Sequence, residues 1–206
     1  MNSVLVLYPN EFNCQSKLTR KLVKITKNMS VYNLVSIDDA KGLLMQYSHE
    51  YGIDFTLLKD TDFSNIEFTH AVVFDDGESF TKEIHEISEL AIPLRLIKIA
   101  VTRVINIKNG VGYSEQKSTP NYEYIGRGSY WGNPHSMYET MEDSEEDPRD
   151  AVIRMYKYDF DYNKFLNIEK NKVYELAGKR LGCFCKPYAC HGDVLADFLN
   201  QWDDGE

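Results

Sequence analysis

Residues 71–82 read A-V-V-F-D-D-G-E-S-F-T-K. A short apolar run opening at His70 meets the turn Asp75-Asp76-Gly77, and Ile84, Ile87 and Leu90 then recur on one face of a helix. A strand feeding through a tight turn into a helix is the repeating unit of a parallel sheet, and the unit recurs on both sides. Upstream, S-V-L-V-L-Y (Ser3–Tyr8) predicts a buried strand, followed by Leu18, Leu22 and Ile25 at helical spacing. Val31–Ser36 predicts a second strand. Asp38 is the expected N-cap of a helix carrying Ala40, Leu43, Leu44 and Tyr47, with Gly52 as its stop. Ile53–Leu58 predicts a third strand and Ile92–Ile99 a fifth. Strands alternating with helices predict an α/β fold with a parallel sheet and right-handed crossovers. Ligands of such sheets bind beyond the carboxyl ends of the strands, here Tyr8–Phe12, Ser36–Asp39 and Asp75–Ser79.

The order of elements over residues 3–100, together with A-K-G-L-L-M-Q-Y-S-H-E-Y-G-I (Ala40–Ile53) and the segment quoted first, resembles the SLOG group of Rossmann-like domains. That group includes cytokinin-activating nucleotide hydrolases and DNA-processing proteins, so the resemblance implies a Rossmann-like sheet and a nucleotide-related ligand. The chain departs from the group where phosphate approaches backbone. Glycines usual after the first strand and before the second helix are replaced by Tyr8-Pro9-Asn10-Glu11 and Ser36-Ile37-Asp38-Asp39. Acidic side chains at those turns repel phosphate, so the expectation is a SLOG-like fold with a degenerate site.

The 206 residues suit one large or two small domains, and 43% hydrophobic content suffices for packed cores. The division expected is a Rossmann-like domain over 1–101 and a smaller α/β or α+β domain over 102–206. The net charge of −9 argues against general nucleic-acid binding, which needs excess Lys and Arg, while leaving room for a small phosphorylated ligand held by local cations. No apolar stretch is long enough for a membrane span, and Met1-Asn2-Ser3-Val4 lacks the features of a signal peptide. Four cysteines, three clustered and Cys14 alone, do not form a secreted disulfide pattern, and a cytoplasmic location is expected, that of the host cell if a phage encodes the chain.

The second half holds two motifs. Thr102–Lys108 predicts a strand, Gly110–Asn121 a loop, and Tyr122–Ile125 a strand leading into G-R-G-S-Y-W-G-N-P (Gly126–Pro134). Gly126, Gly128 and Gly132 permit close backbone approach, and Arg127 offers a planar fork for phosphate or carboxylate. Ser129 lies between them, Trp131 and Tyr130 would stack on a base or sugar, and the Asn133 amide would project into a pocket. The acids of Ser136–Asp147 read as a solvated loop. Asp147, Pro148 and Asp150 mark a helix start, and Phe165–Ala177 is expected to be a further helix ending at Gly178.

The second motif, L-G-C-F-C-K-P-Y-A-C-H-G-D-V (Leu181–Val194), places Cys183, Cys185, Lys186, Cys190, His191, Gly192 and Asp193 on a strand-to-helix turn. Three chemistries remain open there. Cys183, Cys185, Cys190 and His191 would form a zinc set. Alternatively Cys190 is a nucleophilic thiolate with His191 as base and Asp193 orienting it. In the third, His191 and Asp193 are acid–base groups beside Arg127 in a nucleotide pocket, with the cysteines packing as small hydrophobes. A purely structural turn is the fourth alternative. The two boxes together closely resemble a small domain family of bacteria and their phages, over Arg103–Leu199, with Tyr138–Asp147 as an apparent insertion. That resemblance implies one site built from both boxes and brings no reaction with it. The functional expectation is a binder, or hydrolase, of a nucleotide or phosphorylated sugar–base compound of ADP-ribose type. The alternative is a non-enzymatic, zinc-stapled acidic protein, a phage accessory that binds a basic host protein.

Overall fold

The computed structural model describes residues 1–58, 63, 67–108, 118–138 and 145–206. Much of the loop expected at 110–121 and of the acidic run expected at 136–147 lies outside the described residues. Two compact units emerge: Met1–Ala100 with Gln201–Glu206, and Val101–Asn200.

The first unit alternates β1 (Asn2–Leu7), α1 (Gln15–Thr26), β2 (Tyr32–Ser36), α2 (Leu43–Tyr51), β3 (Phe55–Leu57), β4 (His70–Asp75), α3 (Thr81–Glu89) and β5 (Leu94–Lys98). The five strands are parallel in the order β3-β2-β1-β4-β5. Central β1 has strand neighbours on both sides and cores on both faces, which is why Val4–Leu7 is an unbroken apolar run no more than 1% exposed. Successive side chains point to opposite faces. Val4 and Val6 join Leu18 and Leu22 of α1 and Leu44 and Tyr47 of α2, while Leu5 and Leu7 join Phe68 and Ile87 of α3. Helices α1 and α2 therefore cover one face and α3 the other. Arg95 pairs in register with Val72, and Ile97 with Phe74, so both look to the α1 side. Among the described residues no helix of this unit follows β5, and the sheet beside α1 stays open toward that edge.

The second helix starts later than the sequence suggests. Gly42 adopts φ +68°, α2 begins at Leu43, and Asp39 rather than Asp38 caps it by accepting the Leu44 and Met45 N–H groups, both at 3.0 Å. Gly52 ends it at φ +63°, donating to the Ser48 carbonyl, as expected.

The second unit contains β6 (Arg103–Asn106), β7 (Tyr122–Tyr124), α4 (Pro148–Asp161), a 3-10 segment (Lys170–Leu176), β8 (Arg180–Cys183) and α5 (His191–Asn200). Its three strands are parallel in the order β6-β8-β7. Asp147 caps α4 by accepting the Arg149 and Asp150 N–H groups, with Pro148 at the first position, as its sequence predicts. The helix expected over Phe165–Ala177 is not formed as such. Leu166 is 97% exposed, and only Lys170–Leu176 coils, as a 3-10 turn. Three-residue spacing puts Val173 and Leu176 on one side of such a turn, and both are buried. Buried Asn200 closes the end of α5 on the start of the sheet, its amide bonding both the N–H and the C=O of Thr102.

Candidate functional site

At the carboxyl ends of β2 and β4, turn amides that would meet a phosphate are taken by the chain's own carboxylates, whereas the start of α1 after β1 has no side-chain cap. Asp39 accepts the first amides of α2 and also the Tyr8 hydroxyl, while the Lys41 N–H donates to Tyr8. Burial, and then the bond to Asp39, push the Tyr8 phenol up, so it remains a neutral donor. Asp75 accepts the Gly77 N–H, and Asp76 accepts those of Glu78 and Ser79. The acidic turns thus do more than repel an anion: Asp39 sits where one would bind.

The open sheet beside α1 forms a cleft of ≈ 740 Å³. Lys17, Lys21 and Lys24 form one helical stripe at i, i+4 and i+7, Lys27 follows, and Arg95 and Lys98 come from β5. Val4, Val72 and Ile97 give an apolar floor. Six cations and one acid, Glu206, line it in a chain whose net charge is −9, though Lys17 is buried and already paired. At one end the tail Gln201–Glu206 lies on α1. Asp204 pairs with buried Lys17 at 2.6 Å, and Asp203 pairs with Arg20 at 2.7 Å. The sequence reading missed this cleft. The signal was the lysine stripe on α1, hidden by an overall charge that averages it away.

In the second unit the two boxes meet. His191 Nε2 lies 2.8 Å from the Ile125 carbonyl oxygen, and the Asn106 amide donates to the Lys186 carbonyl. Most of the expected ligand-binding groups are occupied by the fold. Trp131 is 4% exposed in the core, its carbonyl accepting the Tyr156 hydroxyl, so its ring is not free to stack on a ligand. The Asn133 amide donates to the Val152 carbonyl and its oxygen accepts the His135 N–H, which ties the loop to α4 instead of reaching into a pocket. Gly126, Gly132 and Gly192 are required by the chain's own packing: a Cβ would meet the Tyr124 ring, the Gly126 carbonyl and the Ile125 side chain respectively. Gly128 sits at φ +83°, and the Ser129 hydroxyl is buried with no hydrogen-bond partner. Arg127 is exposed, 3.4 Å from the His135 carbonyl.

The turn into α5 is a reciprocal cap. Asp193 accepts the Cys190 N–H at 2.9 Å, and the Cys190 sulfur accepts the Gly192 N–H at 3.4 Å. Asp193 also pairs with Lys186 at 2.6 Å. His191 is buried, edge-on to Tyr156, and burial pushes its pKa down, leaving a neutral imidazole. Its Nδ1 lies 3.7 Å from the Cys190 sulfur. The Cys183, Cys185 and Cys190 sulfurs lie within 4.8 Å of one another, with Cys183 donating to Cys185 at 3.3 Å. Hydrogen bonds from Cys183 and then Cys190 pull the Cys185 thiol down, and its own bond to Cys185 pushes Cys183 up. Arg149, which the sequence reading also missed, adds positive charge near Cys185 and stands over the Tyr188 ring.

The first unit is therefore a parallel α/β domain of Rossmann-like type, with the turns after β2 and β4 closed and a cationic cleft on one face. Residues 1–105 match the minimal SLOG domain, and the chain belongs to that family. Residues 106–201 match a domain of unknown function, DUF4326. The chain is 38% identical over 78 residues to an uncharacterised 12.4 kDa protein from the nrdA–td intergenic region of Enterobacteria phage T4. That match spans 37% of this chain and 66% of the phage protein. No solved structure matches the chain. Among the described residues no helix is long and apolar enough to cross a membrane.

Proposed function

We propose that this chain is a binding protein for a nucleotide-related anion, held in the cationic cleft between α1 and β5. The observation that carries the reading is the convergence of Lys21, Lys24, Lys27, Arg95 and Lys98 around an apolar lining, with Lys17 beside them held by Asp204. Its volume, ≈ 740 Å³, falls in the range of small-molecule sites, about 300–1,000 Å³. Phosphates would lie against the lysines and a base against Ile25 and Met29. Membership of the minimal SLOG family supports the ligand class, and the closed turns after β2 and β4 support the unusual location.

A second reading places the ligand at the boxes of the second unit. Arg127, Gly128, Ser129 and Lys186 would bind it, and His191, Asp193 and Cys190 would hydrolyse an N-glycosidic or phosphate bond. It is favoured by the meeting of the two boxes through His191 and Ile125. It is weakened by the burial of His191 and Cys190 and by the engagement of Asp193 in the cap.

Isothermal titration with ADP-ribose separates the two. Lys21→Glu/Lys24→Glu, on the outer surface of α1, is expected to weaken binding about tenfold or more, since each exposed ionic contact contributes about 0.2–1 kcal/mol and reversal adds repulsion. Arg127→Ala should leave binding unchanged. The opposite pattern would move the site to the boxes, and release of product from ADP-ribose, lost in His191→Ala, would establish hydrolysis there.

A further inference from the structure

We propose that Cys183, Cys185 and Cys190, with His191 Nδ1 as fourth donor, hold one zinc ion. This inference is independent of the ligand assigned to the first unit. Cys183 ends β8, Cys185 lies in the following turn, and Cys190 is the cap of α5, so a strand, a turn and a helix terminus deliver three sulfurs to one place. Those sulfurs lie within 4.8 Å of one another, Cys183 and Cys185 at 3.3 Å. Zinc–sulfur bonds of about 2.3 Å in a tetrahedron set ligand–ligand edges of about 3.8 Å, so small side-chain rotations complete the site.

The imidazole is already oriented for this role. A carbonyl can only accept, so the bond to Ile125 fixes the proton on Nε2 and leaves the Nδ1 lone pair 3.7 Å from the Cys190 sulfur, just outside the set formed by the three sulfurs. A metal-bound histidine characteristically donates its other N–H to such an acceptor. The charge also balances. Three thiolates and Zn²⁺ leave one negative charge, which meets the Arg149 guanidinium, the positive end of α5 and the Gly192 N–H on the Cys190 sulfur. On binding, three S–H protons pass to solvent, and three Zn–S bonds and one Zn–N bond form, with no change of oxidation state.

Reduced, chelator-stripped protein would be titrated with Zn²⁺ against a chromophoric chelator, and with Co²⁺ by absorption. The expected result is one metal per chain, with a thiolate-to-cobalt charge-transfer band and the strong visible bands of a tetrahedral site. Cys185→Ser, at a half-buried position, should lose more than the 10–100-fold that removal of an outer-shell partner costs. Cys14→Ser should bind as the parent does, and His191→Ala should retain a weakened site with an altered cobalt spectrum. Circular dichroism would establish that each variant is folded. An octahedral cobalt spectrum, no metal uptake by the reduced chain, or Cys185→Ser binding as tightly as the parent would overturn the proposal. An unchanged spectrum in His191→Ala would overturn the fourth donor.

Discussion

Gly132 and Gly126 stand six residues apart in one box, and the structure requires them for different reasons. A Cβ on Gly132 would lie 2.6 Å from the backbone oxygen of Gly126, whereas one on Gly126 would meet the Tyr124 side chain. Backbone can yield only by reshaping the loop, while a half-buried tyrosine ring can swing away. Gly132→Ala should therefore destabilise the second unit by about 1–3 kcal/mol, the usual cost of overpacking, and Gly126→Ala by less. Urea denaturation of the two variants tests the ranking, and equal midpoints would contradict it. The same box shows what its sequence can and cannot convey. The need for glycine was legible, but whether a ligand or the chain itself fills the space was not. Its cause is a contact partner, as is that of the burial of Trp131 and of the Asn133–Val152 bond. His191 depends on a carbonyl 66 positions away, which no local spacing reveals.

Elements were more legible where burial imposes a period. The central strands β2, β1 and β4 appear where their apolar runs predict, because a parallel strand covered on both faces tolerates little else. Phe165–Ala177 failed because Phe165 and Ile168, from irregular backbone, and Val173 and Leu176, from a 3-10 turn, reach one core and mimic a helix face. Helix α1 carries a further consequence. Its stripe meets the acidic tail, and Asp204 takes Lys17 away from the cleft. Burial alone would push the Asp204 carboxyl up, but the Lys17 ammonium and then the Glu206 N–H more than offset this, and its pKa is lowered. A lowered carboxylate pKa stabilises the contact above the ordinary aspartate range, about 3.9, and that stabilisation is lost only as pH falls through the lowered value. The tail is thus held at neutral pH. Asp203→Asn/Asp204→Asn, which removes the charge without acid, should raise affinity for ADP-ribose several-fold as Lys17 is freed. Unchanged or weaker binding by calorimetry would show that the tail does not compete.

The two units have separate cores and, on the readings above, separate ligands: an anion in the first and a metal in the second. A ligand that binds only the folded state stabilises the unit that holds it by RT ln(1 + [L]/Kd), about 2.7 kcal/mol at a hundredfold excess over Kd. For a unit of about 100 residues each kcal/mol moves the melting temperature by about 4–8 °C, so the expected shift is about 10–20 °C. Scanning calorimetry of the full chain should resolve two transitions. ADP-ribose should raise one and zinc the other, and Cys185→Ser should abolish only the zinc shift. Sodium chloride should erode the ADP-ribose shift, because the exposed lysines of the cleft are screened over about 8–10 Å at physiological ionic strength. The buried thiolate–metal bonds should be little affected. A single transition moved equally by either ligand would mean that the units unfold together, and a zinc shift confined to the transition that ADP-ribose raises would place the metal in the first unit.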